Sequence, residues 1–111
     1  MPDVKADQRA APRYPLVLVV TLLDLETDAK LAARTSDVSR TGCYVDTLNP
    51  IAAGSLVKLH LAHEEEKFET KGRIVYVSPG LGMGIQFQQP VQPEELAILD
   101  RWLETVSHSS F

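Results

Sequence analysis

Leu56-Val57-Lys58-Leu59-His60-Leu61 alternates apolar and polar side chains, the pattern of a strand with one face in a core and the other in water. Working outward, the segment at 68–78 continues the period with Ile74, Tyr76 and their alternates, and reads as a long strand or hairpin arm. Pro79-Gly80 then marks a turn, and residues 83–87 make a last strand. On the other side, Asn49-Pro50 and Ala53-Gly54 punctuate a loop, and Cys43-Tyr44-Val45 is a short strand before it. Upstream, Leu16-Val17-Leu18-Val19-Val20-Thr21-Leu22-Leu23 is rich in β-branched and aliphatic residues and predicts the first strand, opened by Pro15. The polar run 24–30 is a turn, and residues 31–39 give a second strand of weaker propensity.

After Pro90 and Pro93 the period changes. Leu96, Leu99, Leu103 and Val106 recur at three- and four-residue spacing, with Ile98 and Trp102 widening the stripe. Glu94 and Glu95 stand in the first turn, where the helix dipole favours anions. This predicts an amphipathic helix over about 93–106, with a frayed tail behind it. Six short strands and one helix imply a mainly β fold: a small antiparallel barrel with a C-terminal helix packed on it. Residues 1–13 are polar, contain Pro2 and Pro12 and lack periodicity, so a flexible N-terminal arm is expected, followed by the domain proper at 14–111.

A chain of 111 residues allows one core, and 44% apolar against 23% charged residues is globular composition. A formal charge of -4 argues against bulk electrostatic binding of nucleic acid. Cys43 is the only cysteine, which excludes an intrachain disulfide and a thiolate metal cage. No run of apolar residues is long enough to span a bilayer, and residues 1–10 are polar with no apolar run for a signal peptide, so a cytoplasmic protein without membrane insertion is expected. His60, His63 and Glu64-Glu65-Glu66 read as a solvated hairpin tip rather than a metal site, Cys43 as a buried strand thiol, and Trp102 as a core anchor. The sequence carries no paired acid and base, phosphate loop or nucleophile elbow, so neither an enzyme nor a catalytic residue is expected.

Two short patterns remain. Arg9-Ala10-Ala11-Pro12-Arg13 sits on chain that Pro12 keeps extended, and a spacing of four puts both guanidinium groups on one side. Asp37-Val38-Ser39-Arg40-Thr41-Gly42 ends the second predicted strand; Asp37 and Ser39 then share a face while Val38 points to the core. Gly42 permits a positive φ or a close approach of another group. Each pattern also has a plainer reading, a solvated basic tail and a strand-ending turn respectively.

In this order and context, RxxxR followed by DxSxxG resembles the PilZ domain, a bacterial receptor module for cyclic di-GMP; Gly82-Met83-Gly84-Ile85-Gln86-Phe87 also looks like that family's final strand. The resemblance implies a six-stranded PilZ-type barrel whose ligand is cyclic di-GMP, held by Arg9, Arg13, Asp37, Ser39 and Gly42, with further contacts from Gln8 and Arg40. In many relatives an arginine stands where this chain has Gln8, and such members take up a stacked pair of ligands; the substitution implies one ligand per domain here. It further implies an arm ordered by the ligand and a signal passed to a separate effector protein, with a monomer expected and no metal. Some members have lost the arginines and act as adaptors without nucleotide, which is the alternative reading. A barrel for single-stranded nucleic acid is disfavoured by 6% aromatic residues and the acidic balance.

Overall fold

A computed structural model of the chain describes residues 11–109. Its elements are β1 (Val19–Asp24), β2 (Lys30–Val38), β3 (Gly42–Asp46), β4 (Leu56–His63), β5 (Glu66–Ser78), β6 (Gly82–Phe87) and a C-terminal helix α1 (Pro93–Ser109). Every neighbouring pair of strands is antiparallel, and the sheet closes in the order β1-β2-β3-β6-β5-β4. The expected six-stranded barrel with one C-terminal helix is therefore the fold. Residues 1–10 of the expected arm lie outside the described residues.

Alternation sets the inside of the barrel. Val57, Leu59 and Leu61 of β4 are fully buried, as are Val20 and Leu22 of β1 and Phe68 and Ile74 of β5. Each of these side chains contributes roughly 1.5–3 kcal/mol by leaving water, so the barrel interior is the main source of stability. The core extends past the strands: Leu99, Trp102 and Leu103 of α1 join it, and the Trp102 ring meets Phe68 edge-on at 6.4 Å between centroids. The apolar stripe of the helix is thus spent on the barrel. Trp102 is the core anchor its position on the stripe predicts, and its indole N–H donates to Glu66 Oε1 at 2.9 Å. Arg101 pairs with the other oxygen of the same carboxylate.

The turns follow local chemistry. Between β1 and β2, Asp24 Oδ1 accepts the N–H groups of Glu26 and Thr27, which folds the chain back on itself. Between β4 and β5 the loop is only Glu64-Glu65, and Glu64 takes a left-handed φ of 57° to close it. These two glutamates are the exposed tip the sequence predicts; Glu66 is not, because Arg101 and Trp102 hold it against the helix. Among the described residues no helix is long and apolar enough to cross a membrane.

One predicted strand begins late. Residues 16–18 carry strand-like sequence, yet β1 starts at Val19. The reason is Thr35, a fully buried residue of β2. Its hydroxyl donates to the Leu16 carbonyl at 2.7 Å and accepts the Leu18 N–H at 2.9 Å, so a side-chain bridge stands beside the backbone bond from the Thr35 N–H to the Leu18 carbonyl at 3.0 Å. The chain before it stays on the barrel: Tyr14 and Val38 exchange backbone hydrogen bonds of 2.9 and 3.0 Å, and Ala11 is already buried. The helix also runs further than predicted, through residues 107–109.

Candidate functional site

A bulge decides which way Asp37 points. In β2, Thr35 faces the core opposite Val45, and simple alternation would send Asp37 inward as well. The register shifts between Thr35 and Asp37, leaving Ser36 as an extra residue. That shift reverses the phase, so Asp37 pairs with the outward Tyr44 while Val38 returns to the core opposite Cys43. The same device recurs across the sheet. A shift between Ile74 and Tyr76 leaves Val75 over, and Tyr76 then pairs with Gly84, which itself pairs with Tyr44. The result is one lateral row on the outside of four strands: Asp37, Tyr44, Gly84 and Tyr76.

At one end of this row, Arg13 reaches Asp37 across the outer surface, Nη1 to Oδ1, at 2.5 Å. Both side chains remain accessible, Arg13 at 47% and Asp37 at 34%, so a ligand can reach each group. At the other end the two tyrosine rings lie 6.0 Å apart at 33°. They lie over glycine: a β-carbon at Gly84 would overlap the Tyr76 ring, and one at Gly82 the Tyr44 ring. A charged pair beside a shelf of aromatic faces is what a guanine base can use, its donor edge on a carboxylate and its face on a ring. Reading the motifs alone misses Tyr44 and Tyr76. The sequence signal is the alternating Gly82 and Gly84 of β6, which mark where something bulky crosses a strand.

Below the row, residues 39–42 form the turn between β2 and β3. Ser39 is buried, and its hydroxyl accepts the N–H groups of Thr41 and Gly42, each at 3.1 Å. The Ser39 N–H donates to the Gly42 carbonyl at 2.8 Å. Ser39 is therefore not displayed beside Asp37 as the strand pattern suggests; it turns inward and fixes the loop that carries the motif. Gly42 has a different reason: a β-carbon there would overlap the Ile85 carbonyl oxygen and stand 3.2 Å from the carbonyl carbon. Close approach of β3 and β6, not a positive φ, excludes a side chain.

Arg40 points away from the row. Its Nε meets Asp100 Oδ1 of α1 at 2.8 Å and its Nη2 meets Oδ2 at 3.3 Å. That hydrogen bond and the attraction of the Asp100 charge raise the Arg40 pKa above its ordinary value. Cys43 lies wholly within the barrel, and burial pushes its thiol up to about 12, with Arg13 opposing and Asp37 adding to the shift. Such a thiol is no nucleophile at neutral pH. Arg9 and Gln8 lie outside the described residues. Of the seven residues singled out from the sequence, Arg13 and Asp37 touch, Ser39 and Gly42 build the turn below them, and Arg40 ties that turn to the helix. The described residues contain no group of three or more His, Cys, Asp or Glu arranged to hold a metal.

The PilZ domain family model matches residues 7–105, nearly the whole chain and both motifs. The chain belongs to the PilZ domain family. Solved PilZ structures share its fold. The PilZ domain of CeSA from a cellulose-synthesizing bacterium is 21% identical with a TM-score of 0.66, over 84% of this chain and 98% of that one. The PilZ domain of YcgR from Escherichia coli, solved with c-di-GMP, is 15% identical with a TM-score of 0.74, over 93% and 94%. The Bacillus subtilis inhibitor of motility, MotI/DgrA, is 16% identical with a TM-score of 0.66, and this chain spans 51% of its length. No curated protein matches the sequence.

Proposed function

We propose that this PilZ domain is a receptor for cyclic di-GMP and passes the signal to a separate protein, and that it is not an enzyme. The observation that carries the reading is the Arg13–Asp37 pair on the outer face, at the end of the row that runs through Tyr44 to Tyr76. The YcgR PilZ domain, which has this fold, was solved with the same dinucleotide.

The pair is a site held closed by a weak latch. An ion pair this exposed is worth about 0–1 kcal/mol. A charge-assisted hydrogen bond from a ligand brings roughly 1.5–3 kcal/mol, so the nucleotide wins the competition for either partner. Guanine N1–H and the exocyclic amine donate to the Asp37 carboxylate. Arg13, released, offers its fork to the O6/N7 edge or to a phosphate, and Arg9 supplies a second cation for the other side of the ligand. The second guanine lies along Tyr44 and Tyr76, of which Tyr44 is half-buried and Tyr76 exposed. Ser39 and Gly42 act by holding Asp37 in place through the turn, and Gln8 in place of a third arginine limits occupancy to one ligand. Closing the arm over the nucleotide makes a new surface for the partner to read.

Calorimetric titration with cyclic di-GMP tests the reading. Binding with a stoichiometry of one is expected. Arg13→Ala should weaken it roughly tenfold to a hundredfold for each ionic hydrogen bond lost, without a change in melting. Absence of heat at saturating nucleotide, or full affinity in the Arg9→Ala/Arg13→Ala double variant, would sink the assignment and leave an adaptor that works without nucleotide.

A further inference from the structure

A second surface lies on the far side of the barrel. The ligand row begins at the β2–β3 seam; in the closed order the seam opposite is β4–β5. There Lys58 and Lys71 stand directly opposite each other on the outer face. The row continues sideways: Lys58 pairs with Leu23 of β1, and Leu23 pairs with Lys30 of β2. Arg73 is two residues along β5 from Lys71 and faces the same way. Among the described residues none of these four cations is in an ion pair. The one carboxylate beside them on β5, Glu69, stands 3.7 Å from His60 Nδ1.

This arrangement is unfavourable for the fold by itself. Like charges directly opposite in an antiparallel pair destabilise it, since their Cβ atoms are only about 4.5–5.5 Å apart. A chain with a net charge of -4 has carboxylates to spare, yet of the described residues lining the grooves around these lysines only Glu69 carries one. Around the lysines the surface is hollow. Two adjoining grooves of about 460 and 370 Å³ share Lys71, Gln88 and Gln89. Lys58 lines the first; Arg73 and two solvent-exposed leucines, Leu25 at 41% and Leu56 at 50%, line the second.

We propose that this groove is a docking site for an acidic segment of a partner protein, one that presents Asp or Glu side chains beside leucine-like ones. Cations flanking an apolar floor match carboxylates alternating with aliphatic groups, and the glutamine amides along the rim suit a peptide backbone. Nucleic acid fits less well: the aromatic residue in the groove lining, Phe87 of the second groove, is buried and packed on Phe68, so it offers no face to a base. A lipid surface would use the leucines and lysines but leave the amides idle in a concavity. The surface deepens the receptor reading by giving the partner a chemistry, and none of the residues lining it belongs to the nucleotide row, which meets β5 at Tyr76.

The probe is a short synthetic peptide of alternating Glu and Leu, added to the isotope-labelled chain while amide signals are followed. Shifts confined to Lys58, Lys71, Arg73 and residues 86–92 are expected, weakening with added salt. Lys58→Glu separates binding from folding: it replaces a repulsive cross-strand pair by an attractive one, so melting should hold or rise while peptide affinity falls about tenfold. The same peptide with Lys in place of Glu should not shift these signals. Equal affinity for Lys58→Glu, shifts scattered over the barrel, or tighter binding of single-stranded RNA or anionic vesicles than of the peptide would overturn the proposal. Cyclic di-GMP titration of Lys58→Glu should match the parent chain, so a failure of the nucleotide reading shows in that arm alone.

Discussion

Gly42→Ala isolates the fold's demand on the motif from the ligand's. The new methyl group would overlap the Ile85 carbonyl oxygen, and ordinary contact begins at 3.4 Å, so β3 and β6 would have to separate by roughly an ångström. A backbone bond beside that contact, Phe87 N–H to the Thr41 carbonyl, is 2.8 Å and would leave hydrogen-bonding range. Overpacking of this type costs about 1–3 kcal/mol and a lost backbone bond about 0.5–1.5 more. For a domain of this size each kcal/mol lowers the midpoint by about 4–8 °C, so a fall on the order of 10 °C or more is expected. The assay is thermal unfolding without nucleotide, followed by circular dichroism and by fluorescence of Trp102. Gly80→Ala is the control: nothing lies within 4 Å of its added carbon, and its φ of 76° should cost only about 1–2 kcal/mol. A Gly42→Ala midpoint within a few degrees of the parent, or above that of Gly80→Ala, would refute the steric argument. Only then would the glycine have to be explained by the ligand.

Thr35→Val should destabilise by about 1–3 kcal/mol for each backbone group it strands, the Leu16 carbonyl and the Leu18 N–H, whereas Thr35→Ser should cost much less; denaturant titration of the pair checks this. Asp100→Ala should change melting by less than about 1 kcal/mol, because the Arg40 pair is exposed, and should tighten cyclic di-GMP binding by freeing that guanidinium for a phosphate; unchanged or weaker binding by calorimetry would count against Arg40 as a contact. The hydrogen bonds from Arg101 and Trp102 hold the Glu66 carboxyl below its usual range, so its share of stability is present above the unfolded-state value and is lost as pH falls through the folded one. Trp102 fluorescence should therefore report an acid transition below the ordinary glutamate pKa of about 4.3, and Glu66→Gln should abolish it.

Strands whose alternation is unbroken could be read directly from the residues: β4 is legible in Leu56–His63, and β6 and the stripe of α1 almost as clearly. What could not be read are the places where one residue is out of phase. Ser36 and Val75 have no local signature, because a bulge is fixed by the register of the neighbouring strand and not by its own side chain. Those two residues turn Asp37 and Tyr76 outward, so the site's geometry depends on what the sequence hides. Residues 16–18 misled for a related reason: strand propensity is present, but the buried hydroxyl of Thr35 takes two bonds, from the Leu18 N–H and to the Leu16 carbonyl, that a partner backbone would make. Ser39 followed the plainer reading of its motif, a turn held by its own side chain. Arg40 was drawn off by Asp100, sixty positions later in the chain and beyond any local pattern.

The closed order of the six strands bears on how such a domain can talk to another protein. With the barrel closed, a foreign segment finds only short overhangs, such as residues 30–33 of β2, along which it might zip itself on as an extra strand. Recognition must then be written in side chains standing off the wall, and those can be exchanged one at a time without unstitching the scaffold. A family built this way can swap its clients while keeping its shape.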